Sequence, residues 1–83
     1  MYDLFVLPPA QKDLDKLEAS AFERILKKIR ALSKDARPPG CLKLTGDDGY
    51  RIRAGDYRVL YRVDEAAKRI YIYRIKHRKD VYS

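Results

Sequence analysis

One cysteine, one histidine and no long apolar run are what this chain has least of, and each shortage removes a class of function. A lone Cys41 cannot close an internal disulfide, which suits a reducing compartment. Coming straight after Pro38, Pro39 and Gly40 with no His or Asp near it in sequence, it reads as a loosely held loop thiol rather than a nucleophile. Cys41 and His77 are too few for a zinc site, and the carboxylates have no calcium-loop spacing. Nothing approaches the ~18 uninterrupted apolar residues of a membrane span. The start lacks the charged-then-apolar layout of a secretion signal, so a cytoplasmic location is expected. No repeat, low-complexity segment or linker divides the 83 residues, so residues 1–83 are expected to form a single domain. At that size only about 60% of the unfolded surface is buried, which makes the core thin. Any reaction must therefore run on Arg, Lys, Tyr and His77, without a metal ion or another cofactor.

Positive charge, in contrast, is abundant. The 19 Lys and Arg against 12 Asp and Glu give a formal charge of +7, which favours polyanions and speeds encounter with them. Residues 42–83 hold 11 of the cations and 6 of the anions, so most of the excess lies in the second half. Six of the seven tyrosines (Tyr50, Tyr57, Tyr61, Tyr71, Tyr73 and Tyr82) fall there too. Interleaved cations and rings suit single-stranded RNA, whose phosphates pair with Arg and Lys and whose bases stack for about 1–3 kcal/mol each. The plainer account is that tyrosines on amphipathic strands are half-buried core residues with a wet hydroxyl, and that Arg24, Lys27, Lys28 and Lys34 are a solvated helix face. Arg51, Arg53, Arg58 and Arg78 resist that account, because guanidiniums drawn from neighbouring strands repel one another unless an anion is expected.

Periodicity along the chain predicts the elements. Tyr2 to Leu7 reads as a short strand stopped by Pro8-Pro9. From Gln11, Leu14 and Leu17 share a helical face. Ser20-Ala21-Phe22-Glu23 has the form of a capping box, which predicts a second helix carrying Phe22, Ile25, Leu26, Ile29 and Leu32 inward. A proline-rich loop, Asp35 to Gly40, follows. From Gly49 the period is two: Tyr50, Ile52 and Ala54; then Tyr57, Val59, Tyr61 and Val63; then Ile70 and Ile72, alternating with Tyr71, Tyr73 and Ile75. Gly55-Asp56 and Asp64 to Lys68 are short enough for hairpin turns, so these strands form an antiparallel meander. The expected fold is α+β: an N-terminal strand, an antiparallel helical hairpin, then a three-stranded meander, with the helices packed on one face of a twisted sheet and the other face open. Lys76 to Ser83 should be the strand end and a short ordered extension.

Four blocks in this order carry a resemblance: Leu42-Lys43-Leu44-Thr45-Gly46, Tyr50-Arg51-Ile52-Arg53, Gly55-Asp56-Tyr57-Arg58-Val59-Leu60-Tyr61 and His77-Arg78-Lys79-Asp80-Val81-Tyr82. With the helical hairpin, they resemble the RelE/ParE toxin superfamily over nearly the whole chain. The resemblance to its RelE branch implies a toxin of a type II toxin–antitoxin pair, cutting messenger RNA in the ribosomal A site without metal. It also implies a cognate acidic antitoxin, partly disordered when free. A ParE-like toxin, which shares the fold but inhibits DNA gyrase by protein–protein contact, is the alternative; Arg78 and Tyr82 argue against it.

In the reaction so implied, a ribose 2′-hydroxyl attacks the adjacent phosphorus, which needs a proton acceptor, a charge stabiliser and a proton donor. Carried over by position, Arg58 resembles the arginine that stabilises the phosphorane. Arg51 and Arg53 stand where relatives carry lysines, with Lys43 as a further RNA contact. Tyr82 matches a tyrosine that stacks on or orients the substrate base. Lys76 or Arg78 matches the C-terminal general acid. Arginine keeps its proton above pH ~12 and is a poor base. His77, of a residue type that titrates near neutrality, is the other candidate for proton transfer.

Overall fold

A computed structural model describes residues 1–45 and 49–81 of the chain. Its elements are β1 (Asp3–Val6), α1 (Pro8–Asp15), α2 (Ala19–Ala31), β2 (Leu42–Lys43), β3 (Gly49–Ala54), β4 (Tyr57–Asp64), β5 (Arg69–His77) and α3 (Arg78–Val81). The prolines that stop β1 also start α1, where a residue without an N–H and with φ preset near the helical value costs nothing. The capping box does not form. The extended residue before α2 is Glu18, Ser20 already lies inside the helix, and its hydroxyl donates to the Glu18 carboxylate at 2.7 Å. The helix thus starts two residues earlier than the S-x-x-E pattern suggests, with the acidic Glu18 at the positive end of its dipole.

The sheet has five strands in the order β1-β5-β4-β3-β2. β3, β4 and β5 form the expected antiparallel meander. β1 joins it parallel to β5, pairing Leu4 with Ile70 and Val6 with Ile72. The short edge strand β2 adds a pairing that periodicity from Gly49 onward misses: Leu42 lies opposite Arg51 and Lys43 opposite Tyr50. α1 packs along β5 and α2 over β3 and β4, and among the described residues neither covers the other face of the sheet; the short α3 abuts β4 and β5.

Between helices and sheet lies one core, built from Ala10 and Leu14 of α1, Ile25 and Ile29 of α2, Leu32 just beyond it, and the inward residues of the strands. Two residues depart from simple alternation or from the usual state of their type. β5 carries a bulge: Leu60 pairs with Arg74 but Tyr61 with Ile72, so Tyr73 is the extra residue. The frame shifts by one, and Ile75, expected beside Tyr71 and Tyr73 on the open face, is instead only 4% exposed in the core. Tyr61 is wholly buried, and its hydroxyl is not wet but donates to the Ala36 carbonyl at 2.7 Å, tying the proline-rich loop to the sheet. The same packing reaches Cys41, which is half-buried against the core rather than loose. No described helix is long and apolar enough to cross a membrane.

Candidate active site

The turn Gly55-Asp56 sets the geometry of the open face. Gly55 has φ of +63°, a left-handed value that favours glycine, and the two-residue turn places Ala54 opposite Tyr57 and hence Arg53 opposite Arg58. On the next strand Arg58 pairs with Lys76. Because Ile52, Val59 and Ile75 point into the core, alternation turns Arg53, Arg58 and Lys76 to the helix-free face as one rung across three strands. Directly opposed side chains sit ~4.5–5.5 Å apart at Cβ, and like charges there are destabilising. Among the described residues none of the three has an ion pair. Arg53 Nε donates to the Gly55 carbonyl at 3.2 Å and Arg58 Nη1 to the Tyr57 carbonyl at 3.2 Å, which orients two guanidiniums without neutralising them. Three adjacent uncompensated cations make a site for an anion.

Arg51, one rung inward, lines a cavity of about 180 Å³ together with Gly40, Leu42, Arg53 and Arg58. Leu42 forms its apolar wall and is 53% exposed. Nothing in the reading of the site singled out Leu42, although Leu42 and Leu44 alternating with Lys43 and Thr45 is a period-two signal that betrays the strand. Arg78 opens α3 beside the same turn. Its backbone N–H donates to the Asp56 carbonyl at 2.7 Å and its Nε lies 4.0 Å from the Asp56 carboxylate, so it stands at the end of the cationic rung.

Two of the expected residues are not brought to the rung. Lys43 is in register with Tyr50 and so faces the helix side of the edge strand. His77 pairs with Tyr57, which packs on the core, and the two rings meet edge to face at 5.2 Å. Its Nδ1 accepts the Lys79 N–H at 3.3 Å. It therefore lies on the opposite side of the sheet from Arg58, in a polar cleft of about 370 Å³ along the edge of β5 that Asp13, Lys16, Arg74 and Lys76 also line. Tyr82, and Gly46 of the first block, lie outside the described residues.

Asp13, unremarked in the sequence, secures this end of β5. β1 stops at Val6, opposite Ile72, so the outer edge of β5 beyond that point lacks a strand partner. The Asp13 carboxylate takes the Ile75 N–H at 2.8 Å and Arg74 Nε at 2.8 Å. Burial alone would raise its pKa, but the hydrogen bonds from Arg74 and Ile75 outweigh it and hold the group below the ordinary value of 3.8.

A family profile described as the ParE toxin of the type II toxin–antitoxin system parDE matches residues 4–82. The chain belongs to the RelE/ParE toxin superfamily. It is thus a toxin of the type II toxin–antitoxin class. Solved structures agree. The toxin of the archaeal RelE–RelB complex from Pyrococcus horikoshii is 35% identical with a TM-score of 0.83, over 93% of this chain and 94% of that one. The RelBE2 complex of Mycobacterium tuberculosis gives 25% identity and a TM-score of 0.82, over 92% and 96%. The isolated RelE toxin of E. coli gives 26% and 0.81, over 99% and 92%. None of the curated protein sequences matches this toxin.

Proposed function

We propose that this toxin is a metal-independent endoribonuclease that cuts messenger RNA in the ribosomal A site and so inhibits translation. The rung Arg53–Arg58–Lys76 on the open face carries the reading. Attack by a ribose 2′-oxygen forms a bond to phosphorus while the bond to the 5′-oxygen breaks, leaving a 2′,3′-cyclic phosphate and a 5′-hydroxyl. The intermediate gathers negative charge on its non-bridging oxygens, and Arg58, flanked by a cation on each side, is placed to bind them. One preorganised donor of this kind is typically worth about 2.7–4 kcal/mol. Of the three side chains only the Lys76 ammonium can readily release its proton to the leaving oxygen, since guanidinium holds its own too tightly. Arg51 and Arg78 extend the phosphate contact on either side.

No group of the rung is a good acceptor for the 2′-hydroxyl proton, which passes to solvent water. Such a site is slow alone, and depends on its substrate's holder to bend the RNA in line, which is the part assigned to the ribosome. In the complexes from Pyrococcus horikoshii and Mycobacterium tuberculosis, and in the intact RelBE complex of E. coli, the toxin is bound to its antitoxin. We assign this toxin an acidic antitoxin of that type, covering the basic face. A ParE-like gyrase inhibitor is the second reading, favoured by the family profile that matches residues 4–82. Mapping message ends in a translation extract separates them. Ends with 5′-hydroxyls inside A-site codons are expected, and Arg58→Ala should lower cutting by roughly 100–1,000-fold with the fold intact. Intact messages under active translation, with gyrase trapped on cleaved DNA, would replace the nuclease by the second reading.

A further inference from the structure

The cationic rung occupies one end of the open face; the other end is built differently. Phe5 is 40% exposed there, in register with Tyr71 across the β1–β5 pair. The two rings stack, with centroids 5.4 Å apart and planes at 25°, and the Arg69 guanidinium lies 5.6 Å from the Phe5 centroid. Beside them Tyr73, the bulged residue, reaches over β4 toward β3. A Cβ on Gly49 would come within 2.8 Å of its hydroxyl, so a larger residue there would have to displace the ring, and the Arg62 guanidinium lies 5.0 Å from that ring. Gly49, Arg62, Tyr71 and Phe5 belong to one rung of the sheet, in register strand by strand.

From this we propose that the Phe5–Tyr71–Tyr73 end of the open face is a second RNA subsite, a platform on which unpaired bases stack while the phosphates are held at Arg53–Arg58–Lys76. The inference rests on the nuclease reading and extends it to the length of RNA bound. Arg58 and Arg62 are four residues apart on β4, a span of ~13 Å at ~3.3 Å per residue. Stacked nucleotides repeat at about 3.4 Å, so roughly four of them separate the two subsites. Charge decides which part of the RNA each end takes. Arg69 is in register with Asp3 and Asp64, whose carboxylates offset its charge, so this end attracts phosphate less than the uncompensated rung does. The Arg62 and Arg69 guanidiniums set against the Tyr73 and Phe5 rings add to a surface of planar groups on which a base can stack. That favours bases over an acidic peptide.

The test uses fluorescent 2′-O-methyl oligoadenylates, which cannot be cut because the attacking hydroxyl is blocked. Their binding to the intact toxin is followed by anisotropy at fixed salt. Wild type should hold a ten-nucleotide strand more tightly than a four-nucleotide one. Phe5→Leu and Tyr71→Leu should each weaken the ten-mer about 10–100-fold and leave the four-mer unchanged, with Phe5→Tyr restoring the wild-type value. Gly49→Ala, which lifts the Tyr73 ring, should act in the same direction, and circular dichroism melts show whether each variant is folded. Equal affinity of wild type for both lengths, or unaltered ten-mer binding by folded Phe5→Leu and Tyr71→Leu, would overturn the proposal. So would an equal loss of binding to a ten-residue oligoglutamate, which would make the surface a peptide site. Cleavage does not enter these measurements, so a wild-type toxin that leaves messages intact under active translation would sink the nuclease reading while leaving the platform to be judged on length dependence alone.

Discussion

Successive residues of a strand point to opposite faces, so Lys76 joins Arg58 on the open side while His77 turns to Tyr57 on the helix side. Residue type alone favours the histidine for proton transfer; position favours the lysine. Lys76→Ala is expected to lower single-turnover cleavage of ribosome-bound message about 100-fold, as loss of one donor to developing charge does. His77→Gln should change it less than threefold, against the ~100-fold or more that loss of a general base costs. A loss of that larger size for His77→Gln would return the base to His77 and require RNA to reach around the end of β5.

At the scale of the element, the bulge in β5 has the widest consequences. By inserting Tyr73 between the partners of Tyr61 and Leu60, it brings Ile72 and Ile75 into the core three residues apart while Tyr73 keeps to the open face. Without that shift Ile75 would be a surface residue, and its truncation would matter little, within about 0.5 kcal/mol. With it, Ile75→Ala should cost about 2–5 kcal/mol in urea denaturation, as large-to-small changes in a packed core do. A midpoint unchanged from wild type would put the side chain back at the surface and remove the bulge from the account. The one-residue shift also turns Lys76, rather than His77, toward Arg58, so core packing and the make-up of the cationic rung have a common cause.

Over the whole molecule, a polar clamp closes the end of the sheet away from the cationic rung. Glu65, in the turn between β4 and β5, accepts Arg37 Nη1 at 2.8 Å, the Tyr2 hydroxyl at 2.8 Å and Lys68 Nζ at 3.2 Å, joining the N-terminus, the loop after α2 and the hairpin. Arg37 also donates to the Tyr50 hydroxyl at 3.0 Å. The Arg37 guanidinium, then Tyr2 and Lys68, draw the Glu65 pKa from 4.5 down to about 2. A carboxylate depressed on folding contributes stability above its unfolded value and loses it as pH falls through its folded one. The difference in Tm between wild type and Glu65→Gln should therefore be greatest above pH 4.5 and shrink toward pH 2. A difference that stays constant over that window would mean the clamp is not electrostatic. Exposure of the group keeps the effect modest and makes it fall with added salt.

The sequence by itself determined whatever depends on near neighbours. Helical spacing around Ile25 and Ile29, alternation from Gly49 and the two-residue turn at Gly55-Asp56 specify α2, the meander and the opposition of Arg53 to Arg58, because each rests on local periodicity or turn geometry. Only the tertiary structure decided the features made by residues far apart in the chain. Alternation alone put Ile75 on the wrong face, because a bulge is a mismatch between two strands and leaves no mark on either one. The parallel seat of β1 on β5, the Asp13 hold on Ile75 and the seat of Tyr73 over Gly49 likewise arise where distant segments compete for the same hydrogen bonds and the same space.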